Sequence, residues 1–304
     1  MTSRETLNRS VNLKVLEQLG DPEGDANADW VEGRADCVLW MDGAAPVNSG
    51  VTRSGYPSDA AWLVRRFAQD FLERLTPHCE TQALVAEVQG GLAEEFAELG
   101  QPGACVVGGP PFACFGAARL IGETLELTNA GDCVLLYEDS AGEVTSFGYS
   151  AVSGLEQRAI DFLIDFKIRT GAPHTEALQA TVPVIYDNVA QRNRLFGYDV
   201  VEPIAGLTTQ LERVLMPARN GQRLLAMSDG FFRAVDTYRL FSREELFEIA
   251  FRDGLREILA ALRNAEEQDP EAQAYPRLKL RDDATAIAFM VEGQSIPQGP
   301  TGLR

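Results

Sequence analysis

Apolar residues recur at helical spacing in several segments of the chain, most clearly over residues 58–75. There Trp62, Phe67 and Phe71 can share one helix face, which predicts that this face packs on a core. Ser58 is a favourable N-cap, because its side chain can accept a hydrogen bond from a free backbone N–H. The same spacing predicts helices over residues 81–99, 155–168, 175–192, 230–235 and 243–264, and a short helical segment around Leu13, Leu16 and Leu19.

Short apolar runs bounded by turn residues predict strands. Four runs follow one another with Pro-Pro, Gly-Glu and Gly-Asp turns between them, which is typical of an antiparallel meander. These four runs are residues 104–109, 112–121, 124–130 and 133–139, and isolated strands are predicted within 37–43, 197–206, 222–230 and 285–291. Helices, then strands, then helices and isolated strands indicate an α+β fold with antiparallel sheets rather than a doubly wound parallel sheet.

The charge balance narrows the choice of partners. The net charge is −18, and such a field repels phosphate backbones, so we do not expect nucleic-acid binding. Acidity keeps a protein soluble, but some of these carboxylates could also gather around cations, and both interpretations stay open here. No apolar run reaches the ~18 residues of a membrane span, and the first residues lack a signal-peptide core. We therefore expect a cytoplasmic protein without a membrane partner.

Several common chemistries find no support in the sequence. The five cysteines form no Cys-x-x-Cys pair, which indicates free thiols in a reducing compartment. The histidines, His78 and His174, are expected to be ordinary surface residues. There is no Gly-x-Ser-x-Gly elbow, no P-loop and no Gly-x-Gly-x-x-Gly turn, so those routes to serine hydrolysis and nucleotide binding are not indicated.

Aspartates bound several of the predicted strands. Asp42, Asp229 and Asp282 each lie at the end of an apolar run, and Asp132 lies in a turn between two runs. One Asp-Gly pair alone is more often a simple turn. Four acidic strand ends could instead present carboxylates to one cleft, which suits hard cations such as Mg²⁺ and Mn²⁺.

The order of these motifs resembles the type 2C metal-dependent protein phosphatases. The motifs are Asn27-Ala28-Asp29, Asp42-Gly43, Asn129-Ala130-Gly131-Asp132, Ser228-Asp229-Gly230 and Asp282-Asp283-Ala284-Thr285. The resemblance spans about residues 27–292 and implies a four-layer α-β-β-α sandwich of two antiparallel sheets flanked by helices. It implies a phosphatase domain over residues 27–292, which leaves an N-terminal extension over 1–26. The Gly- and Pro-rich segment over 293–304 is expected to be a disordered tail.

The resemblance also implies roles for individual residues. Asp42 would bridge two metal ions, and the Gly43 carbonyl would bind one of them, while Asp229 and Asp282 would complete the other site. Asp132 would border a third position, and Asp29 would orient waters. Two to three Mg²⁺ or Mn²⁺ ions are implied, with hydrolysis of phosphoserine or phosphothreonine in a protein substrate by a metal-activated water. Asp42 and Asp29 would thus be the catalytic aspartates.

The sequence departs from the family pattern at three positions. Ala28 stands where a metal-binding glutamate is usual, and Glu23, Asp25 or Glu32 would have to compensate. Gly24 stands where a phosphate-binding arginine is usual, so Arg34 or Arg53 would have to reach the cleft. Ala44 replaces the histidine or methionine that is often found after Asp-Gly, and a histidine there could act as general acid. The alternative hypothesis is therefore a weak or inactive module that keeps the phosphatase fold and binds a partner; the oligomeric state is open.

Overall fold

The computed structural model describes residues 11–24, 27–44, 52–99, 109–148 and 152–293, and its strands form two five-stranded sheets in which every pairing is antiparallel. The first sheet contains, in spatial order, β1 (Val11–Asp21), β10 (Ala284–Gly293), β9 (Arg223–Met227), β6 (Val134–Glu138) and β7 (Val144–Phe147). The second contains β2 (Asp29–Gly33), β3 (Cys37–Ala44), β4 (Phe112–Ile121), β5 (Thr124–Ala130) and β8 (Glu212–Pro217).

Helices cover the outer face of each sheet. Helices α1 (Asp59–Arg74) and α2 (Thr81–Glu98) share an apolar cluster with the second sheet, and α5 (Asp229–Phe232), α6 (Arg243–Arg252) and α7 (Leu255–Gln268) share one with the first. A third cluster, which includes Trp40, Leu127 and Phe289, fills the space between the sheets. The predicted four-layer α-β-β-α sandwich is therefore confirmed. Helices α3 (Val152–Thr170) and α4 (His174–Val189) pack on each other.

The strongest predicted helix matches the structure closely. Ser58 caps α1, and its hydroxyl accepts a hydrogen bond from the Ala61 N–H at 3.0 Å. The helix buries Trp62, Phe67 and Phe71 against the second sheet, as their spacing predicts. Among the described helices, none combines the length and the hydrophobicity that a membrane crossing requires.

The predicted helical segment around Leu13, Leu16 and Leu19 is wrong, because these residues lie in β1. The strand pairs with β10, and its register shifts between Val15 and Glu17. This bulge exposes Leu16, and the side chains beyond it change face: Leu13 packs between the sheets, whereas Leu19 packs toward the helices. The spacing of the three leucines therefore resembles that of a helix although the segment is a strand.

The domain boundaries stay predictions. The first sheet contains residues from both sides of the predicted boundary at residue 26, because β1 pairs with β10.

Four further expectations need correction or fall outside the described residues. The single helix predicted over 243–264 is divided into α6 and α7 at Gly254, whose φ of 99° ends the first helix. The predicted meander is partly wrong, because β4 pairs with β5 but β6 belongs to the other sheet. Most of the strand predicted over 104–109 lies outside the described residues, as do residues 294–304 of the predicted disordered tail.

Candidate active site

Four of the predicted aspartates line one cleft at an edge of the sandwich. Asp42 is the register partner of Asp29 on the neighbouring strand of the second sheet. Asp229 follows β9 and Asp282 precedes β10, which are adjacent strands of the first sheet, and Asp132 lies in the turn between the sheets. Asp42, Asp132, Asp229 and Asp282 line a cavity of about 200 Å³, which Leu155 and Glu156 of α3 and Ile185 and Val189 of α4 also line.

Two of these carboxyl groups, those of Asp42 and Asp132, have raised pKa values. Burial raises the pKa of Asp42 well above its usual range, and the charges of Asp29 and Asp229 raise it further. Burial is also the main reason that the pKa of Asp132 rises to about 6, with Asp229 adding to the shift. The thiol of Cys114 donates to Asp132 at 2.9 Å and acts in the opposite direction. These carboxyl groups form no ion pair with any lysine or arginine among the described residues.

Asp29 lies behind the cleft and is almost completely buried. Only 3% of its surface is exposed, and its Oδ2 atom has no hydrogen-bond partner among the described residues. Burial, opposed by a hydrogen bond from Ser228 and reinforced by Asp283 and Asp282, raises the pKa of Asp29 to about 8. An unpartnered buried oxygen beside other carboxyl groups is costly, and a cation or an ordered water would satisfy it.

Asp282 has a different environment from the other aspartates. Its Oδ2 accepts from the Arg233 guanidinium at 2.6 Å, and its Oδ1 pairs with the Lys279 ammonium. Burial raises the pKa of Asp282, but Arg233 and Lys279 outweigh burial and the net shift is downward. Asp282 is therefore a compensated carboxylate.

The segment with the unusual Ala28 is held beside the cleft by its backbone. The Asp283 carboxylate accepts from the N–H groups of Glu23 at 2.6 Å and Ala28 at 2.8 Å. The Ala28 carbonyl accepts from Gly43 N–H at 3.0 Å. Ala28 thus occupies its place in the site without offering a ligand side chain.

The three acids considered as replacements for the glutamate have different positions. Burial raises the pKa of Glu23, while Lys279 lowers it and Asp282 raises it, so Glu23 lies within electrostatic range of the cleft. Glu32 accepts from the Trp30 indole on β2. Asp25 lies outside the described residues.

Neither predicted phosphate-binding arginine is among the residues that line the cleft. Arg34 lies at the turn between β2 and β3, beyond the strand ends opposite Asp42, where it donates to the Leu72 carbonyl. The Arg53 guanidinium lies over the Phe96 ring, 5.1 Å from its centroid. The buried His174 corrects another expectation, because its Nε2 lies 2.8 Å from the Leu278 carbonyl oxygen, whereas His78 is exposed as predicted.

Three charged residues of the cleft were not predicted from the sequence. Arg233 lies four residues after Asp229, so about one helical turn returns it to the same side. Lys279 lies three residues before Asp282. Glu156 on α3 has a pKa raised to about 7, mainly by burial and then by Asp229. The spacing of Arg233 is a readable signal, but the position of Glu156 depends on how α3 packs.

The spacing and the charge of the side chains in the cleft show how well it fits the implied metal ions. Within the described ranges, no three His, Cys, Asp or Glu side chains are spaced as ready ligands of one ion, so binding requires side-chain movement. Asp42, Asp132 and Asp229, which form no ion pair among the described residues, and the unpartnered oxygen of Asp29 fit a divalent cation chemically. The arginine- and lysine-paired Asp282 does not.

The glycine after Asp229 has no room for a side chain, and this gives a stability prediction. A Cβ on Gly230 would lie 1.9 Å from the Asp283 carbonyl oxygen, whereas one on Gly91 in α2 would meet nothing within 4 Å. We expect Gly230→Ala to destabilise the protein by about 1–3 kcal/mol through overpacking. Gly91→Ala should stabilise it by about 0.5–1 kcal/mol, because alanine favours the helix. Urea denaturation of both variants measures this, and equal midpoints would contradict it.

Comparison with known proteins gives matches in structure only. No family model matches the sequence, and no curated protein matches it. The catalytic domain of the serine/threonine protein phosphatase PstP in complex with 2 manganese ions superposes with a TM-score of 0.54 at 16% identity, covering 93% of this chain and 100% of that one. The Mycobacterium tuberculosis phosphatase PstP/Ppp gives 0.55 at 16% identity, covering 92% and 99%.

A phosphatase from another organism gives the same result. Stp1 from Staphylococcus aureus superposes with a TM-score of 0.54 at 13% identity, covering 96% of this chain and 100% of that one. Identities this low bear on the fold alone. The described strands and helices, and these superpositions over nearly the whole length, agree with the resemblance in the motifs: the chain has the fold of the bacterial PPM-type serine/threonine phosphatases.

Proposed function

We propose that the chain is a metal-dependent phosphatase that hydrolyses phosphoserine and phosphothreonine in proteins. The observation that carries this proposal is the convergence of Asp42, Asp132 and Asp229, none of which forms an ion pair among the described residues, in one cleft of a phosphatase fold. Like charges held together without a partner are unfavourable, so their arrangement favours a site that binds a cation. We place the activity in the cytoplasm, because Cys37, Cys79, Cys114 and Cys133 are free thiols.

Different residues of the cleft would have different roles in this reaction. Asp42, Asp132 and Asp229 would hold Mg²⁺ or Mn²⁺, and Asp29 would support them from behind. When bound, the metal supplies positive charge for the phosphate and lowers the pKa of a water. Glu156 also lines this cavity, and its pKa of about 7 suits a group that gives or takes a proton near neutral pH.

A turnover assay of the full chain tests this proposal. Purified protein is given a phosphothreonine peptide with Mn²⁺, with Mg²⁺ or with EDTA, and released phosphate is measured. We expect turnover with at least one of the metals and none in EDTA, because the carboxylates alone would repel the phosphate. Absence of turnover with both metals, from protein with the circular dichroism of a folded α+β domain, would contradict the proposal.

A second function is favoured by Ala28 and by the pairing of Asp282. The chain lacks a ligand side chain at Ala28, and the charge of Asp282 is neutralised by Arg233 and Lys279. Such a chain could be a catalytically weak or inactive module that binds a phosphorylated protein. Fluorescence anisotropy with a labelled phosphothreonine peptide and its unphosphorylated twin would test it. Selective binding of the phosphopeptide without turnover in Mn²⁺ would favour the module, and equal binding of the two peptides would count against it.

A further inference from the structure

We propose that Arg233 and Lys279 serve as built-in cations at Asp282, so that this aspartate binds no metal ion in the native protein. The inference refines the proposed function and rests on it in one respect: it assigns metal binding to Asp42, Asp132 and Asp229 and withholds it from Asp282. It departs from the role that the sequence motifs imply for Asp282.

The first support is that both oxygens of Asp282 are already used. Oδ2 accepts from Arg233 at 2.6 Å, and Oδ1 accepts from the Asp283 N–H at 3.1 Å besides pairing with Lys279. A carboxylate with two cationic partners and a backbone donor has little capacity left for an ion. None of the other aspartates of the cleft forms an ion pair among the described residues, although Arg233 also feels the charge of Asp229.

The second support is that Arg233 cannot easily leave. Only 6% of its surface is exposed, and its Nη1 donates weakly to the Lys279 carbonyl at 3.5 Å. A metal ion that took Asp282 would leave this buried guanidinium beside a new positive charge, which is unfavourable. Arg233 directly follows α5, the short helix that begins at Asp229. The same short segment therefore places the Asp229 carboxylate, which we propose binds a metal ion, and the guanidinium that occupies Asp282.

The third support is the position of the two cations relative to the cleft. Arg233 and Lys279 both line the cavity that Asp42, Asp132 and Asp229 line. They therefore supply, without any cofactor, part of the positive charge that this acidic cleft needs before an anionic phosphate can enter. Glu156 and Asp229 face Arg233 as well, so the guanidinium is surrounded by negative charge on more than one side.

Titration of the full chain with Mn²⁺, followed by calorimetry and by the electron paramagnetic resonance of free Mn²⁺, tests the inference. We expect Asp282→Asn to leave the number of bound ions and their affinity as in the unmodified chain. Asp229→Asn should weaken binding by about tenfold or more, as expected when a metal site is impaired. Loss of an ion or a similar weakening in Asp282→Asn would overturn the inference.

The reverse experiment removes the built-in cations. The double variant Arg233→Met with Lys279→Met is expected to bind one more Mn²⁺ than the unmodified chain, and adding Asp282→Asn should abolish this gain. Because the double variant could fail to fold, Lys279→Met alone is measured too. The Lys279 side chain is 55% exposed, so its loss spares the core, and it should already allow weak binding at Asp282. No gain in any folded variant would overturn the inference.

These outcomes separate the inference from the proposed function. If the unmodified chain shows no turnover but the cation-removing variants gain an ion that depends on Asp282, the phosphatase proposal fails and the inference stands. If turnover occurs and Asp282→Asn loses a bound ion, the phosphatase proposal stands and the inference fails.

Discussion

Replacement of Asp229 by asparagine is expected to lower metal-dependent dephosphorylation by about 100- to 1,000-fold, the loss usual when one preorganised electrostatic group is removed. Asparagine keeps the shape of the side chain and removes its charge. Asp229 lies within hydrogen-bond reach of Asp42 and is the strongest charged influence on Asp132. It is therefore at the centre of the uncompensated group, and its loss affects every part of the proposed cation site.

The measurement is kcat and kcat/KM on a phosphothreonine peptide over a range of Mn²⁺ concentrations. Asp253→Asn is the matched control, because Asp253 follows α6 and pairs with the exposed Arg252 at the surface. This control should retain full activity. If Asp229→Asn keeps more than about a tenth of the activity, well above the expected range, the chemistry is not centred on this aspartate. Thermal unfolding in EDTA should show that the variant is at least as stable as the unmodified chain, since a repelling charge has been removed.

The elements that the sequence predicted well are those whose signals are local. Helix α1 has a cap, an acidic first turn and an apolar face, and all three are read from residues close in sequence. Strand β1 has no such signal, because its bulge at Val15 to Glu17 is visible only in its pairing with β10, more than 260 residues away along the chain. Pairing with a distant strand determines the structure of this segment, and the local spacing of its leucines wrongly predicted a helix.

The same distinction applies to the site. The convergence of Asp42, Asp132, Asp229 and Asp282 could be predicted because each lies at or next to the end of a strand, and strand ends meet at the edge of a sandwich. Their charge states could not be predicted, because these depend on which cations approach them. The structure brings Arg233 to Asp282 and leaves Arg34 and Arg53 elsewhere. Two aspartates with the same local sequence form, one at Asp42 and one at Asp282, thus have pKa shifts of opposite sign.

The metal-free protein is expected to lose stability as the pH rises from about 4 to about 8. Asp29 has a pKa of about 8 in the folded chain and an ordinary value of 3.8, and Asp132 reaches about 6. Below 3.8 both are protonated in either state, and their contribution to stability is fully present. As the pH rises toward the folded pKa, the unfolded chain releases protons that the folded chain retains, so stability falls. The loss is on the order of a few kcal/mol, since each unit of pKa difference is worth about 1.4 kcal/mol.

Urea denaturation in EDTA between pH 5 and pH 8 measures this slope. Asp29→Asn should flatten it and should be more stable than the unmodified chain at pH 8, because its buried side chain no longer ionises. Asp282 does not interfere, since its lowered pKa contributes stability that is lost only as the pH falls below 3.8. Stability that stays level or rises over pH 5–8 in EDTA would contradict the prediction.

Divalent cation should reverse the same slope. A bound cation favours the ionised carboxylates and competes with their protons, so Mn²⁺ should stabilise the protein more at pH 8 than at pH 5. Asp42 and Asp229 are necessary for this effect if they hold the ion, whereas Asp282 is not if Arg233 and Lys279 already neutralise it. The folded protein loses free energy of unfolding when Asp29, Asp42, Asp132 and Asp229 ionise together without a counterion. A bound metal ion restores that stability. The pH dependence of stability, with and without Mn²⁺, therefore reports on the cation site independently of turnover.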